Sequence, residues 1–357
     1  MIELNSKTLR SYYGNSSDEY YIKFIHHNID IEEDSPIEYE KLDEDLNNIY
    51  NFDKDAFLLY FSDIDNYCRF TNNQEIKYPD KTYLRIRTKD DYKKLKDLNI
   101  NKSINIIIDI NDIEKLNISD YNLTIQTNNV SDLSLTKLDY LLEKYNIKEV
   151  SVGQIPYITK DNDYLYDVMS SMYGLDSNMK LELEKINKLT NDIYSIKDYF
   201  NMLNKFNNII DSLDIKNSYD GIYKIFNYVA ISVSYDNDGV ENTKIEDQNL
   251  IGPVLHGVGV CEGYSKMFKQ LLSLIGVESI IVQGGDSKES GGHVWNQVFI
   301  DGTWYNIDVT VASNRIKEGK EVNTFLVKDS VLLYKTDTAI SHECNVNYGE
   351  DIVVKSK

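Results

Sequence analysis

Cys261, His293 and Asp308 are the residues of this 357-residue chain whose types and settings could do chemistry together. Cys261 stands in Gly-Val-Gly-Val-Cys-Glu-Gly-Tyr-Ser, where a glycine-rich loop gives way to the helical spacing Tyr264, Phe268, Leu271, Leu272, Ile275. A thiol attacks as thiolate, and the unpaired N–H groups and dipole of a helix start favour that anion. Gly276, one residue after the last apolar position, ends the expected helix. Cys261 lies three residues before Tyr264, so its sulfur is expected on the apolar face. Gly257, Gly259 and Gly263 leave the nearby backbone uncluttered for a substrate, with N–H groups free for an oxyanion. In chain order the three residues read as nucleophile, base and orienting acid.

Two strand-like runs must position the base and the acid. They are His-Val-Trp-Asn-Gln-Val-Phe-Ile from His293 and Thr-Trp-Tyr-Asn-Ile-Asp-Val-Thr from Thr303, separated by Asp301-Gly302. Asp-Gly between alternating runs is a strong signal for a two-residue hairpin. Pairing Ile300 with Thr303 sets His293 opposite Thr310 and Trp295 opposite Asp308. His293 and Asp308 then share one sheet face as diagonal neighbours, with backbones roughly 7–8 Å apart. A turn one residue longer would put them on opposite faces.

Each residue also has a plainer reading. A free cysteine is often a small buried hydrophobe, and a histidine at a strand start is usually structural. Trp295 and Trp304 serve equally as core packing. Asn296 reads as a sheet or turn partner, and His256 as a surface-loop rival to the base. The three segments gain their weight from one another.

They resemble the transglutaminase-like superfamily of papain-related enzymes. The marks are Val-Cys-Glu-Gly-Tyr-Ser at Cys261, His-x-Trp-Asn at His293, and Asp-Gly-x-Trp-Tyr-x-x-Asp-x-Thr ending past Asp308. Tyr235-Asp236 upstream and Asn323–Val327 downstream, taken as a closing strand, fit the same pattern over roughly residues 180–345. The resemblance implies an α+β fold: a papain-like core in which a catalytic helix packs on an antiparallel sheet, preceded by a smaller α/β unit. It implies a Cys-His-Asp triad acting on protein or peptide amides, with hydrolysis by a protease or amidase preferred. The alternatives are a glutamine transglutaminase or deamidase, and an inactive binding module. Oxyanion and substrate-side candidates are Gln248, Gly259, Glu262, Gly263, Tyr264, Trp295 and Trp304. Where relatives read Thr-Trp-Asp after the acid, this chain has Thr310-Val311-Ala312, so an aromatic on the substrate side is expected to be missing.

Composition bounds the rest. The formal net charge is −20, from 38 basic and 58 acidic residues, which disfavours nucleic acid and anionic membranes as partners. Cys68, Cys261 and Cys344 form no Cys-x-x-Cys and no disulfide framework, so a reducing, cytoplasmic setting is expected. No metal or cofactor is expected, and the zinc-bearing branch of the superfamily is set aside for want of ligands. The first residues show no signal-like apolar core and no run suits a membrane span. Expected strands are Ala56–Ser62, Tyr83–Arg87, Ser103–Ile110, Asn122–Thr127 and Glu149–Val152. Expected helices are Lys89–Asp97, Leu135–Tyr145 capped by Ser134, a long pattern over Met179–Leu213 broken once, and one after Ser218. These elements divide the chain into an N-terminal recognition or support unit (1–175) and a second unit (176–357).

Overall fold

Short apolar strands alternating with amphipathic helices wind residues 57–153 into a parallel sheet, because each helix must bury one stripe against the next strand. The computed structural model describes residues 20–24, 57–61, 63–71, 76, 79–98, 100–153, 191–237, 245–286, 289–336 and 341–349. Strands β1 (Tyr20–Phe24), β2 (Phe57–Phe61), β3 (Thr82–Arg85), β4 (Asn105–Asp109), β5 (Asn122–Thr127), β6 (Ile147–Gly153) and β7 (Asn191–Ser195) lie in that order across one seven-stranded sheet. β2 to β6 run parallel, and β1 and β7 pair antiparallel at the edges. Helices α1 (Ile64–Thr71), α2 (Lys89–Asp97), α3 (Ile113–Leu116) and α4 (Leu135–Lys144) make the crossovers.

Strand alternation puts Leu84, Ile106, Ile108, Leu123, Ile125, Val150 and Val152 in one core with Ile64, Leu95, Ile113, Leu138 and Leu141 of the helices. Residues of opposite parity include polar groups that satisfy each other. The Tyr83 and Thr124 hydroxyls donate to the Glu149 carboxylate at 2.9 and 3.0 Å.

The expected strands and helices up to Gly153 match to within two or three residues. Of the pattern over Met179–Leu213, expected to break once, Ile196–Ser212 is helical as expected and Asn191–Ser195 is not. Residues 179–190 and the expected boundary near 175 lie outside the described residues. Asn191–Ser195 is strand β7, and the helix, α5 (Ile196–Ser212), starts only at Ser195, whose Oγ accepts from Asp198 N at 3.1 Å. The free edge of β6 offers β7 a ladder, which overrides a helical spacing this short. The first sheet therefore takes a strand from beyond residue 175.

α5 and α6 (Ser218–Ser232) lead to β8 (Ser234–Tyr235), α7 (Ile245–Gln248), a π-helical turn at Ile251–His256 and β9 (Val258–Gly259). α8 (Cys261–Leu274) follows, then β10 (Ser279–Asp286), β11 (Glu289–Ile300), β12 (Thr303–Ile307), α9 (Val309–Lys317) and β13 (Lys335–Thr336). β12-β11-β10-β13 form an antiparallel sheet. Tyr264, Phe268 and Leu271 of α8 share a core with Phe206 of α5 and Phe226 of α6. The molecule is α+β, with helix packed on antiparallel sheet where the chemistry was expected. Among the described residues no helix is long and apolar enough to cross a membrane.

Candidate active site

Cys261 is the first residue of α8, and Val260 before it offers no side-chain cap. The first turn of α8 therefore starts without a capping side-chain oxygen. Cys261 is half-buried and packs on Ile281 and Val294 of the sheet. Two bonds fix this helix to β11: Ser265 Oγ donates to Val294 O at 3.1 Å, and Asn296 Nδ2 donates to Ser265 O at 3.0 Å. Asn296 is thus a tie between helix and sheet.

The hairpin forms as its sequence predicts. Asp301 and Gly302 take φ of 51° and 80°, and Ile300 pairs with Thr303 and Asn296 with Ile307. Pairing ends there, which corrects the expected partners of Trp295 and His293. Asp308 and Thr310 are not on a strand: Asp308 is the N-cap of α9, and Thr310 lies inside that helix.

One carboxylate then does two things. Asp308 Oδ1 accepts from Val311 N at 3.0 Å, capping the helix, while Oδ2 lies 2.7 Å from His293 Nε2. Thr324 pins the Asp308 backbone from both sides, accepting its N–H at 2.9 Å and donating to its carbonyl at 2.8 Å. The run Asn323–Val327 expected as a strand makes one bridge, Asn306 with Val327, and otherwise serves as this clamp.

His293 joins the other two residues. Its Nε2 is taken by Asp308 at 2.7 Å, and Cys261 lies near enough to the ring to favour its charged form. His293 and Asp308 are 8% and 2% exposed. Burial opposes a charged imidazole, but the Asp308 charge and hydrogen bond, with a smaller contribution from Cys261, outweigh it and push the pKa up to about 10. The arrangement favours imidazolium beside sulfur.

Aromatic rings enclose the imidazole. Trp295 lies 5.9 Å away with its plane tilted by 20°, 1% exposed, its Nε1 donating to Asn306 Oδ1 at 3.0 Å. Tyr334, which no motif indicated, lies tilted against the imidazole at 4.4 Å. The following β13 pairs with β10 at Gly284, where an added Cβ would stand 2.1 Å from Lys335 O and 2.6 Å from Trp295 Cη2. Only glycine permits so close an approach. The Tyr235 phenol is raised in pKa by burial and then by Cys261 and Tyr334, so it borders the same space. Trp295, Tyr334 and Tyr235 thus gather near His293, although an aromatic was expected to be missing at Val311.

The remaining candidates are placed as follows. Glu262 is ion-paired with Lys266 at 2.6 Å. Tyr264 is fully buried and donates to Val233 O at 2.6 Å, so it is core, not a substrate contact. A Cβ at Gly263 would meet Asp247 O at 2.3 Å; its smallness admits the neighbouring chain rather than a substrate. Gly259 pairs with Tyr235 in the short β8–β9 ladder. Gln248 ends α7, and the carbonyl of the adjoining Asp247 accepts Val260 N at 3.0 Å, so its segment borders the sulfur. Trp304 stacks on His342 at 3.9 Å. The His256 side chain is 57% exposed, 3.7 Å from Glu246. Among the described residues no group of three His, Cys, Asp or Glu could hold a metal ion.

Residues 208–309 match the sequence model of the transglutaminase-like superfamily, a span that holds Cys261, His293 and Asp308. No curated protein sequence matches the chain. Similar solved structures include a TGase at 16% identity and TM-score 0.30, over 45% of this chain and 50% of that one. A candidate cysteine protease from Cytophaga hutchinsonii shares 16% identity at TM-score 0.26, over 30% and 37%. An arylamine N-acetyltransferase from Bacillus cereus, with a Cys-His-Glu triad, shares 18% at 0.25, over 31% and 49%. The chain spans half or less of each of these three.

Proposed function

We propose that this transglutaminase-like domain carries a thiol acyl-transfer site for protein or peptide amides, with water as the final acceptor. The observation that carries the reading is His293 held by Asp308 at 2.7 Å, with Cys261 beside it at a helix start that has no side-chain cap. The Cys261 thiolate attacks the carbonyl carbon, forming a C–S bond and an oxyanion. The Cys261 N–H is the nearest donor to that oxyanion, with the Gln248 segment opposite. The C–N bond breaks as the His293 imidazolium gives its proton to the leaving amine. Water, deprotonated by the now neutral imidazole, attacks the thioester. The C–S bond breaks, releasing the acid and restoring the pair. Asp308 holds the ring in one orientation and supports its charge throughout.

The test is mass spectrometry of a glutamine-containing peptide incubated with the chain, an excess primary amine and ¹⁸O-labelled water. Label in a cleaved or deamidated product supports hydrolysis. An amine adduct replaces water by amine as the acceptor. Absence of any thioester on Cys261 sinks acyl transfer.

A further inference from the structure

Asp192 and Tyr194 belong to β7, the last strand of the N-terminal sheet, yet both reach the candidate active site. Asp192 Oδ2 receives Lys266 Nζ at 2.6 Å, and the same ammonium holds Glu262 Oε1 at 2.6 Å. Lys266 is on α8 and 2% exposed. Burial works against its charge, but the two carboxylates outweigh this and hold its pKa above the usual value. Glu262 follows Cys261 directly, so an ion bridge runs from the sheet to the turn that carries the sulfur.

Tyr194 supplies a second arm. Its hydroxyl donates to the same Asp192 Oδ2 at 3.2 Å and accepts from Leu250 N at 3.0 Å. Leu250 lies two residues beyond Gln248, in the segment whose Asp247 carbonyl holds Val260 N. One carboxylate oxygen on β7 thus joins the two segments that would flank an acyl oxygen. A buried ion bridge is weak evidence for stability, since desolvation offsets its attraction. A fully bonded network does fix one arrangement.

We propose that Asp192 and Tyr194 are positioning residues for acyl transfer, fixing the start of α8 against the Gln248 segment. The N-terminal sheet is then part of the catalytic apparatus. This rests on the acyl-transfer reading above.

Full-length Tyr194→Phe and Asp192→Asn test it with two reagents at Cys261. p-Nitrophenyl acetate acylates the sulfur through an oxyanion, whereas iodoacetamide alkylates it without one. Acylation should fall by about tenfold or more in both variants, while alkylation stays within about threefold of wild type. Ile106→Val, on β4 and away from β7, loses sheet packing and should keep both rates. If Asp192→Asn does not fold, Tyr194→Phe, which removes one oxygen, carries the test. Equal falls with both reagents, unchanged acylation, or an equal fall in Ile106→Val overturns the assignment. A wild-type chain inert to both reagents removes the acyl-transfer reading and this one together. Wild-type acylation that ignores the substitutions removes this one alone.

Discussion

Helices α2 and α4 of the N-terminal sheet and the helix that carries Cys261 begin differently. Thr88 accepts from Asp91 N at 3.1 Å and Ser134 from Lys137 N at 3.3 Å, so α2 and α4 start with a bonded oxygen. At α8, Val260 has none to give. Such a cap contributes about 1 kcal/mol, and forgoing it leaves donors for an anion. The polar side chains differ in the same way. Glu149, Tyr83 and Thr124 close upon one another, whereas the series Asp308–His293–Cys261 ends on a sulfur only half-buried. Where polar groups are mutually satisfied the molecule is built to stay; where a series ends open it is built to react.

The largest effect that could break this contrast belongs to Cys261→Ala. Thioester formation should vanish, by intact-mass measurement, with a melting midpoint near wild type; retained turnover would remove the mechanism.

Asp308→Asn comes next, because asparagine caps a helix about as well as aspartate but carries no charge. The rate should fall roughly 10²- to 10⁴-fold while the cap of α9 is kept. Asp308→Ala should add about 1 kcal/mol of destabilisation in urea melts. An Asn variant of wild-type rate would show the imidazole needs no charged partner.

A pH series sharpens the point. The His293 pKa is raised from 6.5 to about 10 in the folded chain, so its protonated form is the stabilised one. That contribution is complete below the unfolded value and is lost as pH rises through about 10. The melting-temperature advantage of wild type over Asp308→Asn should therefore shrink between pH 6.5 and 10. A gap that widens with pH would contradict the imidazolium.

Smaller still is Val260→Thr, which adds a hydroxyl where α8 lacks one. Iodoacetamide labelling of Cys261 should slow by about threefold as the hydroxyl competes for the N–H groups. Unchanged labelling would mean the open helix start contributes nothing. Ser134→Ala, the matching deletion on α4, should cost about 1 kcal/mol and leave labelling untouched.

Local signals made much of this legible in the sequence. Asp301-Gly302 set the hairpin, Thr88 and Ser134 marked helix starts, and Gly276 at φ 70° marked the end of α8. His293 and Asp308 meet at 2.7 Å, though by another route for the acid: Asp308 reaches the ring from a helix cap, not from a strand. The alternation Trp304, Asn306, Asp308 runs unbroken through the strand end, so parity alone could not reveal the stop. β7 was hidden because strand pairing with β6 depends on a partner forty residues away. Tyr334 carried no signal at all. Its place over His293 depends on Gly284 admitting a distant segment.

Asp308 also ties the base to the body of the protein. α9 begins on the carboxylate that holds the ring, and its Ser313 reaches Tyr264 of α8 at 3.2 Å. Any tilt of α9 pulls on nitrogen at one end and on the sulfur's own helix at the other. Base and nucleophile are thus geared to a single shaft, and whatever presses on it changes their spacing without touching either.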